Sequence, residues 1–275
     1  MKRLEERVAL VTGAARGVGK SIALKLATEG ACVVINDLDE VPLREVASIL
    51  TAQGARVAIV PGSVTDPQFP ERFVDAALSR FGRIDILVNN AGYIWNSRVE
   101  KTSDEQWNAM LDVHLGAPFR IIRRVVQHWK STPPIDAASG AAARHRKIVN
   151  VSSISGTHGA VGQIAYSAAK AGLVGLTLSL ARELGPDHVN VNAVAFGLIE
   201  TRMTQEVDGE TTVDVAGQQR RVGLTRAALD DVTRRIPLRR GGTPEEAAGG
   251  VVLLCLPEAD YISGQVVEID GGFAI

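Results

Sequence analysis

Short apolar runs rich in Val and Ile recur along the chain. They alternate with longer stretches in which apolar residues return every three or four positions. The runs at 8–12, 32–37, 57–60, 84–89, 147–152, 189–194 and 265–269 predict strands, and the periodic stretches at 18–29, 43–53, 69–81, 107–130, 166–184 and 244–256 predict helices. Strands that alternate with helices argue βαβ units and a parallel sheet. The strand runs are continuously apolar rather than alternating, which fits a sheet buried on both faces. The expected fold class is therefore α/β, a doubly wound parallel sheet with helices on both faces. Two stretches interrupt the rhythm. Residues 131–146 (STPPIDAASGAAARHR) carry a proline pair and small side chains and read as a surface loop, while 201–236 is long, polar and weakly periodic. With no internal repeat, 275 residues are expected to form one domain over 1–275, with 200–237 a substrate-side lid inside it.

Composition narrows the function classes. The chain is 45% hydrophobic with a formal net charge of −1, so it has no basic footprint for nucleic acid or an anionic membrane surface. The apolar run after the mixed-charge start is too short for a secretion signal, and no run approaches the length of a membrane-spanning helix. Cys32 and Cys255 lie apart among apolar neighbours with no metal-ligand spacing, which reads as buried free thiols in a reducing compartment. A cytoplasmic protein with a small-molecule partner and no metal is expected.

The first strand runs into Thr12-Gly13-Ala14-Ala15-Arg16-Gly17-Val18-Gly19, where a helix opens. Glycines at such a turn let the backbone approach a pyrophosphate, and the helix start adds free N–H groups and a positive dipole end. Asp37 ends the second strand 18 residues after Gly19, near the offset at which an acid takes the adenosine ribose hydroxyls. The competing reading of Asp37 is a cap for the next helix. A carboxylate there would repel a 2′-phosphate, and Leu38 offers no cation, which favours NAD. Arg16 in the turn argues the other way and keeps NADP open.

These and further motifs resemble the short-chain dehydrogenase/reductase family over nearly the whole chain, with most similarity to its 3-oxoacyl-(acyl-carrier-protein) reductase-like and small-alcohol dehydrogenase branches. The glycine turn is one motif. Asn89-Asn90-Ala91-Gly92 after the fourth strand is another, as is the Tyr166-x-x-x-Lys170 pair with Ser153 thirteen residues before the tyrosine. Residues 191–201, the Ile236-Pro237-Leu238 stretch and the Asp270-Gly271-Gly272 tail complete the set. The resemblance implies a Rossmann fold, a homotetramer with the helices 107–130 and 166–184 in an interface, and an NAD(P)-dependent interconversion of a secondary alcohol and a ketone. It implies cofactor contacts from Gly13, Arg16, Gly17, Val18, Gly19, Asp37, Ser63, Val64, Asn90, Ala91, Gly92, Tyr166, Lys170, Gly197, Ile199 and Thr201. It implies a catalytic group of Ser153, Tyr166 and Lys170. A free tyrosine has a pKa of about 10, too high for a base at neutral pH. Lys170 shares a helix face with Tyr166, and its ammonium is expected to lower that value.

Three positions depart from the family's pattern. His114 stands where the family commonly has an Asn that holds a proton-relay water. It reads equally as a packed helix histidine or as a substituted relay member, and is counted with the catalytic group. Phe196 replaces a Pro before Gly197, and Ser63 replaces an Asp near the adenine. The expected substrate lining is Ile94, Trp95, Ser155, His158, Val161, Gln163, Phe196 and Met203, which leaves the substrate open. Two other readings compete: a non-catalytic dinucleotide sensor or scaffold on the same fold, and another Rossmann enzyme such as a methyltransferase or epimerase. The Tyr166/Lys170 pair and the short remaining chain argue against both.

Overall fold

The computed structural model describes residues 2–132, 145–206, 212–215, 218–221 and 223–273. Six parallel strands come first in the chain: β1 (Val8–Val11), β2 (Cys32–Asp37), β3 (Val57–Pro61), β4 (Ile86–Asn89), β5 (Arg146–Ser153) and β6 (Val189–Phe196). A separate antiparallel pair, β7 (Thr212–Val215) and β8 (Gln218–Arg221), precedes the last parallel strand, β9 (Val266–Ile269). The parallel sheet has the order β3-β2-β1-β4-β5-β6-β9. Successive residues of one strand feed opposite cores. Val33 and Ile35 of β2 face α1 (Gly17–Thr28), α2 (Glu40–Ala52) and α9 (Pro244–Cys255). Cys32 and Val34 face α3 (Phe69–Phe81), α4 (Asp104–Leu111), α5 (Ala117–Ser131) and α7 (Ile164–Leu184). Both faces of the central strands are buried, so β1 and most of β2 read as unbroken apolar runs, while β4, β5 and β6 also bury polar residues such as Asn89, Asn150 and Asn192.

Local chemistry sets the helix ends. Thr243 and Glu246 form a reciprocal capping box ahead of Pro244, and Gly82 closes α3 in the left-handed region at φ 75°. The helix expected at 107–130 is interrupted. Between α4 and α5 lies a π-helical turn, Asp112–Gly116, across which the Ala117 N–H donates to the carbonyl five residues back, at Asp112. Pro118 explains it. A proline there has no N–H for the His114 carbonyl and its ring would press on it, so one wider turn relieves both problems.

Two expectations need correction. Residues 164–187, including α7, form a helical run long and apolar enough to cross a membrane, with mean hydropathy 1.4, although no such run was expected. That helix buries Ala165, Ala169, Leu173 and Leu184 within the fold. The stretch 201–236 is more ordered than its weak periodicity suggests. It holds the β7–β8 pair and α8 (Arg226–Arg235), whose start is capped by the Thr225 hydroxyl. No side chain of α8 is buried, so no apolar stripe marked it. The loop expected at 131–146 lies for the most part, at 133–144, outside the described residues. A short helix, α6 (Ile154–Thr157), follows β5.

Candidate active site

The strand order reverses between β1 and β4, and a crevice opens there at the carboxyl ends of the strands. The Thr12 hydroxyl at the end of β1 accepts from the Asn90 and Ala91 N–H groups, both at 3.0 Å. The Asn90 amide donates back to the Thr12 and Gly13 carbonyls at 2.9 and 3.0 Å. These four bonds clamp the glycine turn to the end of β4. The clamp is tight: a side chain on Gly19 would meet the Gly13 carbonyl oxygen at 2.0 Å. Helix α1 starts at Gly17 with no side-chain cap, so the N–H groups of its first turn keep their bonding capacity at the cavity wall.

Asp37 faces the same cavity from the end of β2. Its carboxylate accepts from the Ala15 N–H at 2.9 Å and the Asp39 N–H at 3.1 Å. The second bond stops one residue short of α2, so Asp37 does not cap the first turn of that helix. Arg16 pairs with Asp39. Ser63 bonds its near neighbour Thr65, with 2.7 Å between the hydroxyls.

At the other end, β5 delivers Ser153 and α7 delivers Tyr166 and Lys170. A ladder fixes their frame: the Asn89 amide donates to Asn150 at 2.9 Å, and the Asn150 amide donates to the Thr177 hydroxyl of α7 at 2.9 Å. The Ser152 hydroxyl adds a bond to the Lys170 carbonyl at 3.0 Å. The Lys170 ammonium group lies 5.7 Å from the centre of the Tyr166 ring and donates to the Val151 carbonyl at 2.6 Å. Burial pushes the Tyr166 phenol up to about 12, against a smaller opposing pull from Ser153, and lowers Lys170 to about 7. The phenol is thus raised, where Lys170 was expected to make Tyr166 more acidic. Desolvation disfavours the charged form of each group.

His114 occupies the π-helical turn. Its Nε2 lies 2.7 Å from the Tyr93 carbonyl, which can only accept, so the proton sits on Nε2 and Nδ1 is an acceptor. That Nδ1 is buried with no hydrogen-bond partner. The ring meets Tyr166 edge to face at 5.0 Å. Burial, and then the charge of Lys170, hold His114 well below its usual pKa, so it is neutral. A side chain on Gly92 would meet His114 Cε1 at 2.2 Å, so the glycine makes room for the imidazole.

One cavity of about 540 Å³ joins the two ends. Its wall includes Gly13, Arg16, Gly17, Val18, Gly19, Asp37, Ser63, Val64, Asn90, Ala91, Gly92, Gly197, Ile199 and Thr201, together with Ser153, Tyr166, Lys170 and His114. An uncapped helix start in the middle and a fixed carboxylate at one end suit the pyrophosphate and ribose of a dinucleotide. Of the expected substrate residues, Ile94, Phe196 and Met203 line the cavity. Trp95, Ser155, His158, Val161 and Gln163 do not, which corrects that assignment. The Ser155 hydroxyl donates to Gln163 at 2.7 Å, and the Trp95 carbonyl accepts from the Gln106 side chain at 2.7 Å. His158 turns to Glu268 at 3.3 Å, and Val161 is 92% exposed. Sequence reasoning missed Tyr93, Asp112, Val113, Arg202 and Thr204 on the wall. Asp112 and Val113 directly precede His114 in the sequence, and Arg202 sits between two residues already named.

Comparison with known proteins agrees with this geometry. Residues 13–274 match the family model described as enoyl-(acyl carrier protein) reductase. The chain is 36% identical to the 3-oxoacyl-[acyl-carrier-protein] reductase FabG of Thermotoga maritima, over 99% of this chain and 100% of that one. It is 34% identical to FabG of Escherichia coli (98% and 97% covered) and 35% identical to the short-chain reductase protein NovJ of Streptomyces niveus (98% and 94%). Among solved structures, a short-chain dehydrogenase of Burkholderia cenocepacia in complex with NADP superposes with a TM-score of 0.82 at 29% identity, covering 99% of this chain and 100% of that one. The chain therefore belongs to the short-chain dehydrogenase/reductase family and is an NAD(P)-dependent oxidoreductase that interconverts secondary alcohols and ketones.

Proposed function

We propose that the enzyme reduces the ketone of a 3-oxoacyl thioester, with Tyr166 as general acid, Ser153 and Lys170 as its catalytic partners, and NAD(H) as the preferred cofactor. The observation that carries the reading is the shared cavity, in which an uncapped helix start and the Ser153, Tyr166 and Lys170 side chains form one continuous wall. A nicotinamide dinucleotide held along the glycine turn, Asp37 and Lys170 would supply the hydride. Tyr166 donates its phenolic proton to the substrate oxygen, and a phenol raised to about 12 is fully protonated at neutral pH, ready to act as an acid. Ser153 donates a hydrogen bond to the same oxygen and holds it beside Tyr166. Solvent returns the proton to the phenolate, with Lys170 stabilising that charge once protonated. His114 joins as a neutral ring packed edge to face on Tyr166, where it shields the phenol.

The thioester assignment is supported by the names of the FabG relatives and by the apolar Ile94, Phe196 and Met203. The NAD preference rests on Asp37, on Leu38 beside it, and on the engagement of Arg16 by Asp39. The NADP of the Burkholderia neighbour sets the competing expectation. We read 1–275 as one dinucleotide-binding domain with 200–237 as its substrate-side lid, working in the cytoplasm on a small-molecule substrate, without nucleic acid or membrane partners. A homotetramer would cover exposed apolar side chains such as Trp107, Phe119 and Leu178 on α4, α5 and α7, and Leu253, Tyr261 and Val267 toward the C-terminal end of the chain. The decisive experiment is Tyr166→Phe, assayed by nicotinamide absorbance with acetoacetyl thioesters. Turnover is expected to fall by about 10²-fold or more with cofactor affinity unchanged, and near-normal turnover would overturn the assignment.

A further inference from the structure

The charged groups around the cavity are almost all committed. Arg16 is paired with Asp39, and Asp112 with Arg120 at 2.7 Å. Asp37 is held by two backbone N–H groups, His114 is neutral and donates to Tyr93, and Lys170 donates to Val151. Arg202 is different. Among the described residues it lines the cavity with no hydrogen bond or ion pair of its own. Its exposed side chain leaves a backbone that is firmly set. The Thr201 N–H donates to the Thr204 hydroxyl at 2.9 Å, the Met203 N–H donates to the Thr201 hydroxyl at 3.3 Å, and the Thr204 hydroxyl bonds the Ile199 carbonyl.

This turn sits over the glycine-rich loop: the Thr201 methyl lies 3.5 Å from where a side chain on Gly17 would begin. Arg202, with no hydrogen bond or ion pair among the described residues, thus follows directly on a residue packed beside the uncapped start of α1. Two walls that each present unpaired N–H donors suit one ligand chemistry, a phosphoryl group with several anionic oxygens, which a guanidinium fork can grip at two points. We propose that Arg202 is a phosphate clamp that closes the cavity from the lid side. The proposal rests on the dinucleotide reading of the cavity. The nearness of Gly17 favours the cofactor's pyrophosphate, and a phosphate on the carrier arm of a thioester substrate has the same chemistry.

The test compares wild type, Arg202→Ala and Arg202→Lys. NADH affinity is measured by fluorescence titration, and KM is measured for acetoacetyl-CoA and for the N-acetylcysteamine thioester of acetoacetate, which has no phosphate. With a pyrophosphate clamp, Arg202→Ala weakens NADH binding by about tenfold, Arg202→Lys recovers part of the loss, and the two thioesters respond alike. With a substrate phosphate, NADH affinity holds and KM rises for acetoacetyl-CoA alone. If all three constants stay within about twofold of wild type, the clamp is refuted. Failure of wild type itself to bind NADH would instead sink the dinucleotide reading. Because Arg202 is exposed and makes no hydrogen bond or ion pair with a described residue, the variants are expected to melt with wild type, and this serves as the folding control.

Discussion

Replacing Lys170 with Met tests the electrostatics at the centre of the site. Lys170 is 4% exposed, and burial lowers its pKa from 10.5 to about 7. In the unfolded chain the amine titrates near its ordinary value. Between pH 7 and 10.5 the unfolded state therefore binds a proton that the folded state does not, and stability climbs with pH across that window. Below pH 7 the folded protein bears the whole penalty, roughly 5 kcal/mol at about 1.36 kcal/mol per pH unit. Methionine has a similar shape without the charge. It gives up the bond to the Val151 carbonyl, worth about 1 kcal/mol, which leaves a net gain of roughly 4 kcal/mol at pH 6.

That gain corresponds to a rise in Tm of about 10 °C for a chain of this size. The advantage should shrink steadily as pH rises and vanish by about pH 9.5 to 10. Tyr166 sets the upper limit of the experiment. Its phenol is raised from 10.0 to about 12, so the unfolded chain loses that proton first, and both proteins lose stability above pH 10. The assay is calorimetric melting of cofactor-free wild type and Lys170→Met from pH 6 to 9.5 at fixed ionic strength. A Tm difference that is flat with pH, or a more stable wild type at pH 6, would show that Lys170 keeps its charge at little cost and would refute the reasoning.

Three further outcomes are expected. Wild type should use NAD better than NADP, and Asp37→Ala should narrow or reverse that preference, because it removes a carboxylate fixed at the cavity wall; steady-state kinetics with both cofactors decide it, and a wild-type preference for NADP would reject the assignment. Gly92→Ala should destabilise the protein by about 1–3 kcal/mol, since the new methyl would lie 2.2 Å from His114 Cε1 and drive the ring off its bond to Tyr93. If that account is right, most of the loss disappears in a His114→Ala background, and an equal loss there contradicts it. Light scattering should give a tetramer mass, and Trp107→Glu should lower it; a monomeric wild type ends the oligomer proposal.

The strands were legible because burial on both faces selects Val, Leu and Ala, as in β1, and the buried Asn190 and Asn192 of β6 interrupt that pattern without breaking the run. The glycine turn and the Asn-Asn-Ala-Gly segment were legible for a related reason: two loops held together by bonds from the Asn90 and Ala91 N–H groups to the Thr12 hydroxyl at 3.0 Å leave little freedom in side-chain choice. The substrate wall was not. Trp95, Ser155 and Gln163 stand close in sequence to residues that do reach the cavity, but they spend their polar groups on one another or on Gln106. Sequence distance from an active residue does not say which way a side chain turns at a loop. The π-helical turn escaped because helical periodicity averages over it, although Pro118 marked the place.

The Tyr166–Lys170 pair separates two kinds of inference. Their spacing of four residues puts both on one face of α7, and the structure brings them to one cavity wall. The charge each carries there depends on solvent, and a sequence does not state how much solvent a side chain keeps. With Lys170 lowered to about 7 and Tyr166 raised to about 12, the phenol is neutral at physiological pH while the amine lies close to its midpoint. A neutral phenol is the proton donor that ketone reduction uses, whereas alcohol oxidation uses the phenolate, which is favoured by a positive charge near the ring. The nearest residue able to supply it is Lys170 itself, once protonated, so the pH dependence of the two directions should diverge most where that amine titrates.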